Sequence, residues 1–548
     1  MQRRVFLKTG AAATLTGLVA PHIAMSTPAS DSHIEILVEE PIATISPNIY
    51  GHFIEHIGGV IYDGVWVGKQ SKIANVSGIR KSLIDALREI QAPMVRWPGG
   101  CFADSYDWRD GIGTDRPRRT NFWAEEFDPS QLKTKAPQVY DNNAFGTDEF
   151  LRFCHLSGVE PYLAANVRSL SPLDFDRWVE YCNSPSGTTT LADQRARNGS
   201  SAPYNVKLWG IGNESWGCGG NFTPQDYATE FRRFTSWVPK YSLPLQYIAS
   251  GPSDNDLVWT KGFFEKAFSM GDHNISGWSI HHYAWNLSRG KSSDWVAAKG
   301  DSLKFDLVDW YEVFKQGYLI EKIIQDQWAA IGEYDESHQI KLVVDEYGPW
   351  YKKGTEVSPD AILSQQVTIR DALFTAFTLD VFNRHADKVS MAACAQLINC
   401  INALFLAHED KFVLTPNYHV FQMYAAHQGA QSLRTEITSP QAKYSSDGEP
   451  ATFWGLNGSA SLKGKSLTLT VVNADASSPR EAEILVRGAT VSSASSKVLA
   501  APDIHAHNSF EQSMVSKPVE QPVRQSGGNS LHLTFKQASV TAVTVNLV

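Results

Sequence analysis

Two glutamates follow short apolar runs in a way that suits acid–base chemistry. The stretch KLWGIGNESWGCGG, residues 207–220, carries a strand-like run straight into Asn213-Glu214 and then breaks into glycines. LVVDEYGPWY, residues 342–351, delivers Asp345-Glu346 in the same manner. In a parallel barrel a polar residue at the C-terminal end of a strand projects into the site instead of the core. Two carboxylates from different strands then meet on one rim. That is the equipment of glycoside hydrolysis, in which one carboxylic acid protonates the leaving oxygen and the other carboxylate attacks the anomeric carbon or activates water. Either glutamate alone could instead cap a helix or pair with an arginine, but both together are harder to explain that way.

A second pattern competes. His52, Glu55 and His56 in HFIEH fit the zinc-protease spacing H-x-x-E-H, which needs both histidines on one helical face. Pro47, Asn48 and Gly51 precede them and Gly58-Gly59 follow, leaving no room for a stable helix, so the zinc reading is rejected and no metal site is assigned. His281-His282 read as satisfied histidines at a strand end and not as ligands. No cofactor is called for.

These residues need a scaffold, and the hydrophobic pattern supplies one. Apolar runs of strand length occur at 49–56, 92–100, 160–167, 205–214, 245–253, 275–283, 340–348 and 389–399. Amphipathic stretches lie between them, such as GIRKSLIDALREIQ, where Ile79, Leu83, Leu87 and Ile90 recur near the helical period. Eight such beats predict a (β/α)8 TIM barrel over 48–414. A doubly wound open sheet would carry a G-x-G-x-x-G turn after the first strand, and none is present. Long polar, aromatic-bearing insertions follow the second and sixth strands, where a barrel builds its active face. From 415 to 548 the texture turns to two-residue alternation with Gly, Asn and Ser turns, which predicts an all-β, jelly-roll-like sandwich. HIEILVEE has the same character, so residues 31–47 are expected to add a strand to that sandwich.

Composition narrows the partners. The chain has 548 residues, 43% of them hydrophobic, and a net charge of -9 from 49 Lys+Arg against 58 Asp+Glu, with no long basic block. A large core and more than one domain are expected, and nucleic acid is excluded as a partner. Residues 1–30, with Arg3-Arg4 before AAATLTGLVA, resemble a twin-arginine export signal cleaved between Ala24 and Ser30. The apolar run is too short for a membrane helix, so a periplasmic or secreted protein without a membrane anchor is expected. Six cysteines without C-x-x-C spacing argue against a disulfide scaffold and for buried free thiols, although Cys101 and Cys218 lie beside the motifs and could line a pocket.

The strings GHFIEHIGG, RWPGGCFADSYDWRDGIG, WGIGNESWGCGGNFTPQDYA, SIHHYAW and VVDEYGPWY are similar to those of the glycoside hydrolase family 51 α-L-arabinofuranosidases, in family order from about residue 33 to the C-terminus. The resemblance implies a retaining, exo-acting hydrolase that releases terminal arabinofuranosyl residues from plant-type glycans. It implies Glu214 as general acid/base, Glu346 as nucleophile and Asn213 on the sugar 2-hydroxyl. It also implies Glu55, Tyr283 and Gln396 as further sugar-site contacts, Cys101 against the ring, Trp350 as a pocket wall, and a homo-oligomer. Tyr347 departs from the Trp that many relatives carry there, which bears on fine specificity. The implied chemistry needs Glu214 protonated at rest beside a wall of Trp209 and Trp216, and Glu346 kept ionised by Tyr283 and Arg96. The alternatives are a retaining hydrolase of the same fold on another glycan, an endo-glucanase or galactofuranosidase, and a non-catalytic carbohydrate-binding protein. Loss of either glutamate would mark the last, and both are present.

Overall fold

The computed structural model describes residues 30–126, 139–271, 274–357 and 362–548. The export signal read over residues 1–30 lies outside the described residues but for Ser30. Eight strands close a parallel barrel: β1 (Gly51–Phe53), β2 (Met94–Trp97), β3 (Glu160–Ala165), β4 (Leu208–Ile211), β5 (Gln246–Ala249), β6 (Gly277–Ala284), β7 (Lys341–Pro349) and β8 (Val389–Cys394). Each pairs with the next, and β8 closes on β1 through Ala393 opposite Gly51.

The strands read as apolar runs because a parallel sheet under a helical layer is buried on both faces. Trp209 on β4 points outward, against Phe175 and Trp178 of the helix Pro172–Asn183. Met94, Tyr162, Leu208, Ile248, Val343 and Met391 point inward and plug the barrel from six strands. The interior is therefore packed, and any site must sit at its mouth.

The covering helices follow ordinary local rules. Pro224–Thr235 starts on Thr223, whose side chain accepts from the Asp226 amide, has Pro224 in its first turn, and buries Tyr227, Ala228, Phe231 and Phe234 as one stripe. Among the described residues no helix is long and apolar enough to cross a membrane.

The C-terminal region forms a ten-stranded sheet that includes the strand Ser32–Thr44, antiparallel to Gln431–Thr438 and parallel to Arg480–Arg487. Ile34, Leu433, Leu469, Ile484, Leu531 and Val543 come from different strands of this sheet yet share one apolar cluster, so the sheet must curl around its own core. It is tied to the barrel through the helix Ile369–Arg384. Buried Asp380 there accepts from Tyr424, Ser459 and Thr470, and burial pushes its carboxyl up to about 7.

Candidate active site

The mouth of the barrel holds a cavity of about 340 Å³. Seven of the eight residues singled out from sequence line it: Glu55, Cys101, Glu214, Tyr283, Glu346, Trp350 and Gln396. The eighth, Asn213, lies beside it, with Oδ1 accepting from Arg96 Nη2 at 2.6 Å.

Glu214 stands just beyond β4, in a left-handed backbone conformation (φ 42°) that a non-glycine residue adopts only when its surroundings fix it. Those surroundings are visible. The Glu214 carbonyl accepts from the amides of Gly217 (2.7 Å) and Gly219 (3.1 Å), and the Ser215 amide donates to Ser250 Oγ at 3.1 Å. A Cβ on Gly219 would stand 1.8 Å from the Asn213 carbonyl oxygen, so only glycine lets the loop fold back this closely. The Asn213 amide donates to Asp104 at 2.9 Å, and the same carboxylate takes the Val167 amide at 2.8 Å. Burial pushes Asp104 up to about 7 against these hydrogen bonds.

Glu346 sits on β7 itself. It accepts from Arg96 Nη1 and from the Tyr283 hydroxyl, each at 2.8 Å. Adjacent residues of a regular strand face opposite ways. Yet Asp345 also reaches Arg96, at 3.4 Å, and additionally takes Tyr162 OH at 3.0 Å and Ser279 Oγ. The register shifts between Val344 and Tyr347 and between Ser279 and His281 account for this, since a bulge re-aims side chains beside a site.

His281 connects the two carboxylates. Its Nδ1 is 3.0 Å from Glu214 and 3.5 Å from Glu346, and its Nε2 is 3.2 Å from Asp345. Burial opposes its charge, but Glu346, Asp345 and Glu214 outweigh burial and hold the imidazole protonated well above its ordinary range. Burial likewise opposes the charges of Arg96 and Asp345. Asp345 and Glu346 nonetheless keep the guanidinium firmly charged, and Arg96 and His281 hold Asp345 below the usual carboxylate range. One carboxylate oxygen of Glu214, the His281 nitrogen and one oxygen of Glu346 all lie within 4.8 Å of one another.

Glu55 lines the same cavity. It accepts from the Phe102 amide at 2.9 Å, Trp123 Nε1 at 3.1 Å and Gln396 Nε2 at 3.1 Å. Burial, and then the charge of Glu346, push it up to about 8. Trp350 meets Tyr283 and Trp295 edge-on, each at 5.0 Å between ring centroids. Lys299 Nζ lies 3.5 Å from the Trp295 ring centre, within cation–π range.

Three sequence expectations change. Trp209 is buried in the outer core and forms no part of the Glu214 wall, because alternation along β4 turns it away from the mouth, whereas Trp216 does line the cavity. Cys101 and Cys218 are not free thiols but a disulfide across 117 residues, joining the loop after β2 to the loop after β4; Cys154, Cys182, Cys394 and Cys400 are free and buried. His281 is a member of the site and not a bystander. The H-x-Y spacing of His281 and Tyr283 on one strand, which points both side chains the same way, was a signal that could have found it. His52, by contrast, is buried against the Phe421 ring, and His56 pairs with Asp141 at 2.5 Å and Trp97 at 3.0 Å. The two histidines of the H-x-x-E-H string thus take separate partners.

Comparison with known proteins agrees with the geometry. Residues 86–298 match the family described as Alpha-L-arabinofuranosidase 1 domain, and residues 345–539 the Alpha-L-arabinofuranosidase C-terminal domain. A Bacteroides ovatus protein named intracellular exo-alpha-L-arabinofuranosidase is 32% identical, with 100% of each chain covered. An Acetivibrio thermocellus protein named intracellular exo-alpha-(1->5)-L-arabinofuranosidase is 29% identical over 66% of this chain and 68% of its own. The crystal structure of a GH51 arabinofuranosidase from Xanthomonas axonopodis pv. citri superposes with a TM-score of 0.85 at 34% identity, covering 94% of this chain and 100% of that one. Both sequence relatives are named intracellular, which overturns the periplasmic or secreted location expected from the N-terminal pattern. That expectation rested on the composition of a short leader, with no structural feature behind it.

Proposed function

We propose, since this chain belongs to the glycoside hydrolase family 51 α-L-arabinofuranosidases, that it removes terminal α-L-arabinofuranosyl residues from arabinose-containing glycans by double displacement, with Glu346 as nucleophile and Glu214 as general acid/base. The observation that carries this reading is the spacing of the two glutamates, whose carboxylate oxygens lie within 4.8 Å. Retaining enzymes hold their carboxyl groups about 5–5.5 Å apart, whereas inverting enzymes leave roughly 6.5–9.5 Å for a water between them.

In the first step a carboxylate oxygen of Glu346 attacks the anomeric carbon while Glu214 protonates the departing glycosidic oxygen. A β-glycosyl ester and the free aglycone result. In the second step Glu214 takes a proton from water, which attacks the same carbon, releases Glu346 and yields α-arabinofuranose. Arg96 and Tyr283 aim Glu346 through hydrogen bonds of 2.8 Å each. His281, held cationic between the glutamates, lets two acidic groups stand close before substrate enters. Glu55 and Gln396 reach the ring hydroxyls, Asn213 reaches the 2-hydroxyl, and Cys101 and Trp350 border the ring. The exo-acting relatives support action on a chain end. Assembly into a homo-oligomer belongs to the same reading, and light scattering of the purified protein tests it. Hydrolysis of a panel of aryl glycosides, with the first-formed anomer followed by NMR, tests the activity. Release of α-arabinofuranose supports it, and the β-anomer, or preference for another sugar, overturns it.

A further inference from the structure

The disulfide stands closer to the acid/base glutamate than structural bracing requires. Glu214 Oε2 is 3.6 Å from Cys218 Sγ and 3.8 Å from Cys101 Sγ. Both cysteines are half-buried, and Cys101 and Glu214 face the open cavity. A disulfide sulfur carries no hydrogen, so in the oxidised protein these contacts donate nothing to the carboxylate.

We propose that Cys101, Cys218 and Glu214 form a latent site for a thiophilic divalent cation of the Zn²⁺ class, open only when the disulfide is reduced, and that an ion bound there shuts off the acid/base glutamate. The three donor atoms lie within 4.8 Å of one another. Zinc bonds of about 2.3 Å to sulfur and 2.0–2.2 Å to oxygen at tetrahedral angles place sulfur and oxygen ~3.5 Å apart, close to the two spacings found here. Only the sulfurs must separate, and they do so once their bond is broken. The remaining carboxylate oxygen, Oε1, is held by His281 Nδ1 at 3.0 Å, which turns Oε2 toward the sulfurs as outer-shell partners of metal ligands do. The cavity is the entry path and leaves a fourth position for water.

The chemistry balances. A dithiol reductant attacks the Cys101–Cys218 bond, its own two sulfurs end joined, and the enzyme gains two thiols. The cation then displaces the two thiol protons to solvent and takes both thiolates with the Glu214 carboxylate. A glutamate so engaged can neither protonate a leaving group nor deprotonate water. The inhibitory half of the proposal rests on Glu214 as acid/base. The site itself is read by metal binding and so stands or fails apart from that role.

The test uses full-length protein, oxidised or reduced with a dithiol that is then removed without air. Cd²⁺ is titrated while its ultraviolet thiolate charge-transfer band is recorded, and Zn²⁺ while hydrolysis is followed. Reduced protein should show the band to one equivalent and lose ~10²-fold or more in rate, the worth of proton transfer, with recovery on adding a chelator. Oxidised protein should show neither response, and Cys218→Ser, scored against its own metal-free rate, should lose both. A reduced protein without the band overturns the site. Equal inhibition of the oxidised protein or of Cys218→Ser also overturns it, because the ion would then sit on the second donor set, Glu214, His281 and Glu346.

Discussion

The ends of β4 and β7 each present a glutamate to the same cavity, but they hold it differently. Glu346 lies within a strand, 8% exposed, and accepts from Arg96 and Tyr283, while its neighbour Asp345 ties the same arginine and His281. Glu214 lies past its strand, 21% exposed, on a left-handed backbone, with His281 on one side and a disulfide on the other. A nucleophile must be aimed within a fraction of an ångström and kept anionic, so a rigid strand and two donors suit it. An acid/base must pass protons between a leaving group and water, so a solvent-facing loop suits it. Strain of about 1–3 kcal/mol at Glu214 is borne by the loop's hydrogen bonds and the Asp104 carboxylate beneath it.

Deleting each glutamate breaks the comparison most directly. Glu346→Ala should lower kcat/KM by about four or more orders of magnitude on natural and aryl arabinofuranosides alike, because nothing else can form the glycosyl ester. Glu214→Ala should lose ~10²–10⁴-fold on natural substrates and far less in the first step on a nitrophenyl glycoside, whose leaving group needs little protonation. The glycosyl-enzyme should then accumulate, and azide should accelerate turnover and give the α-azide. Steady-state kinetics with and without azide decide the matter, and rescue confined to Glu346→Ala would reverse the two roles.

A smaller change sharpens the same contrast. Tyr283→Phe removes one of the two donors on Glu346 and should lower kcat about 10–10²-fold, the worth of a hydrogen bond to a charged group. KM should move little. A matching loss in KM alone would make Tyr283 a ring-binding group and not a nucleophile-positioning one.

What the sequence disclosed follows the range of the interactions. All eight barrel strands were legible because burial on both faces writes itself into a local apolar run. Glu214 and Glu346 were legible because each follows such a run. The disulfide was not, since it joins loops 117 residues apart and nothing local at Cys101 specifies Cys218. The spacing of His281 from Tyr283 marked its face, but its role did not show locally: it comes from three carboxylates on β7 and beyond β4, which become its neighbours only when the barrel closes. Trp209 was misassigned because closeness to Glu214 in sequence does not fix the face a strand residue takes, and alternation along β4 sends it to the outer core against Phe175 and Trp178.

The third carboxylate, Glu55, supplies the finest test, since it shares the cavity with Glu346 but answers to pH in the opposite sense from a paired glutamate. Burial and the Glu346 charge push it up to about 8, against the pull of the Phe102 amide, Trp123 and Arg96. A carboxyl raised in the folded state favours folding fully below its unfolded value. That contribution is lost as pH rises toward about 8, where a second anion appears beside Glu346. Neutral Glu55 can donate one hydrogen bond to a ring hydroxyl and accept others, whereas ionised Glu55 can only accept. KM for an aryl arabinofuranoside should therefore stay flat up to neutrality and rise about tenfold for each pH unit beyond the group's titration, as binding to the neutral form alone requires. Glu55→Gln stays neutral at every pH, so its KM should be flat across the same range, and the two proteins should agree up to neutrality and diverge in alkaline buffer. Glu55→Ala, which can do neither, should raise KM at all pH values while unfolding at an undiminished temperature. A wild-type KM that rises in parallel with that of Glu55→Gln would assign the titration to another group. A Gln variant already crippled at slightly acidic pH would show that Glu55 binds the sugar as an anion.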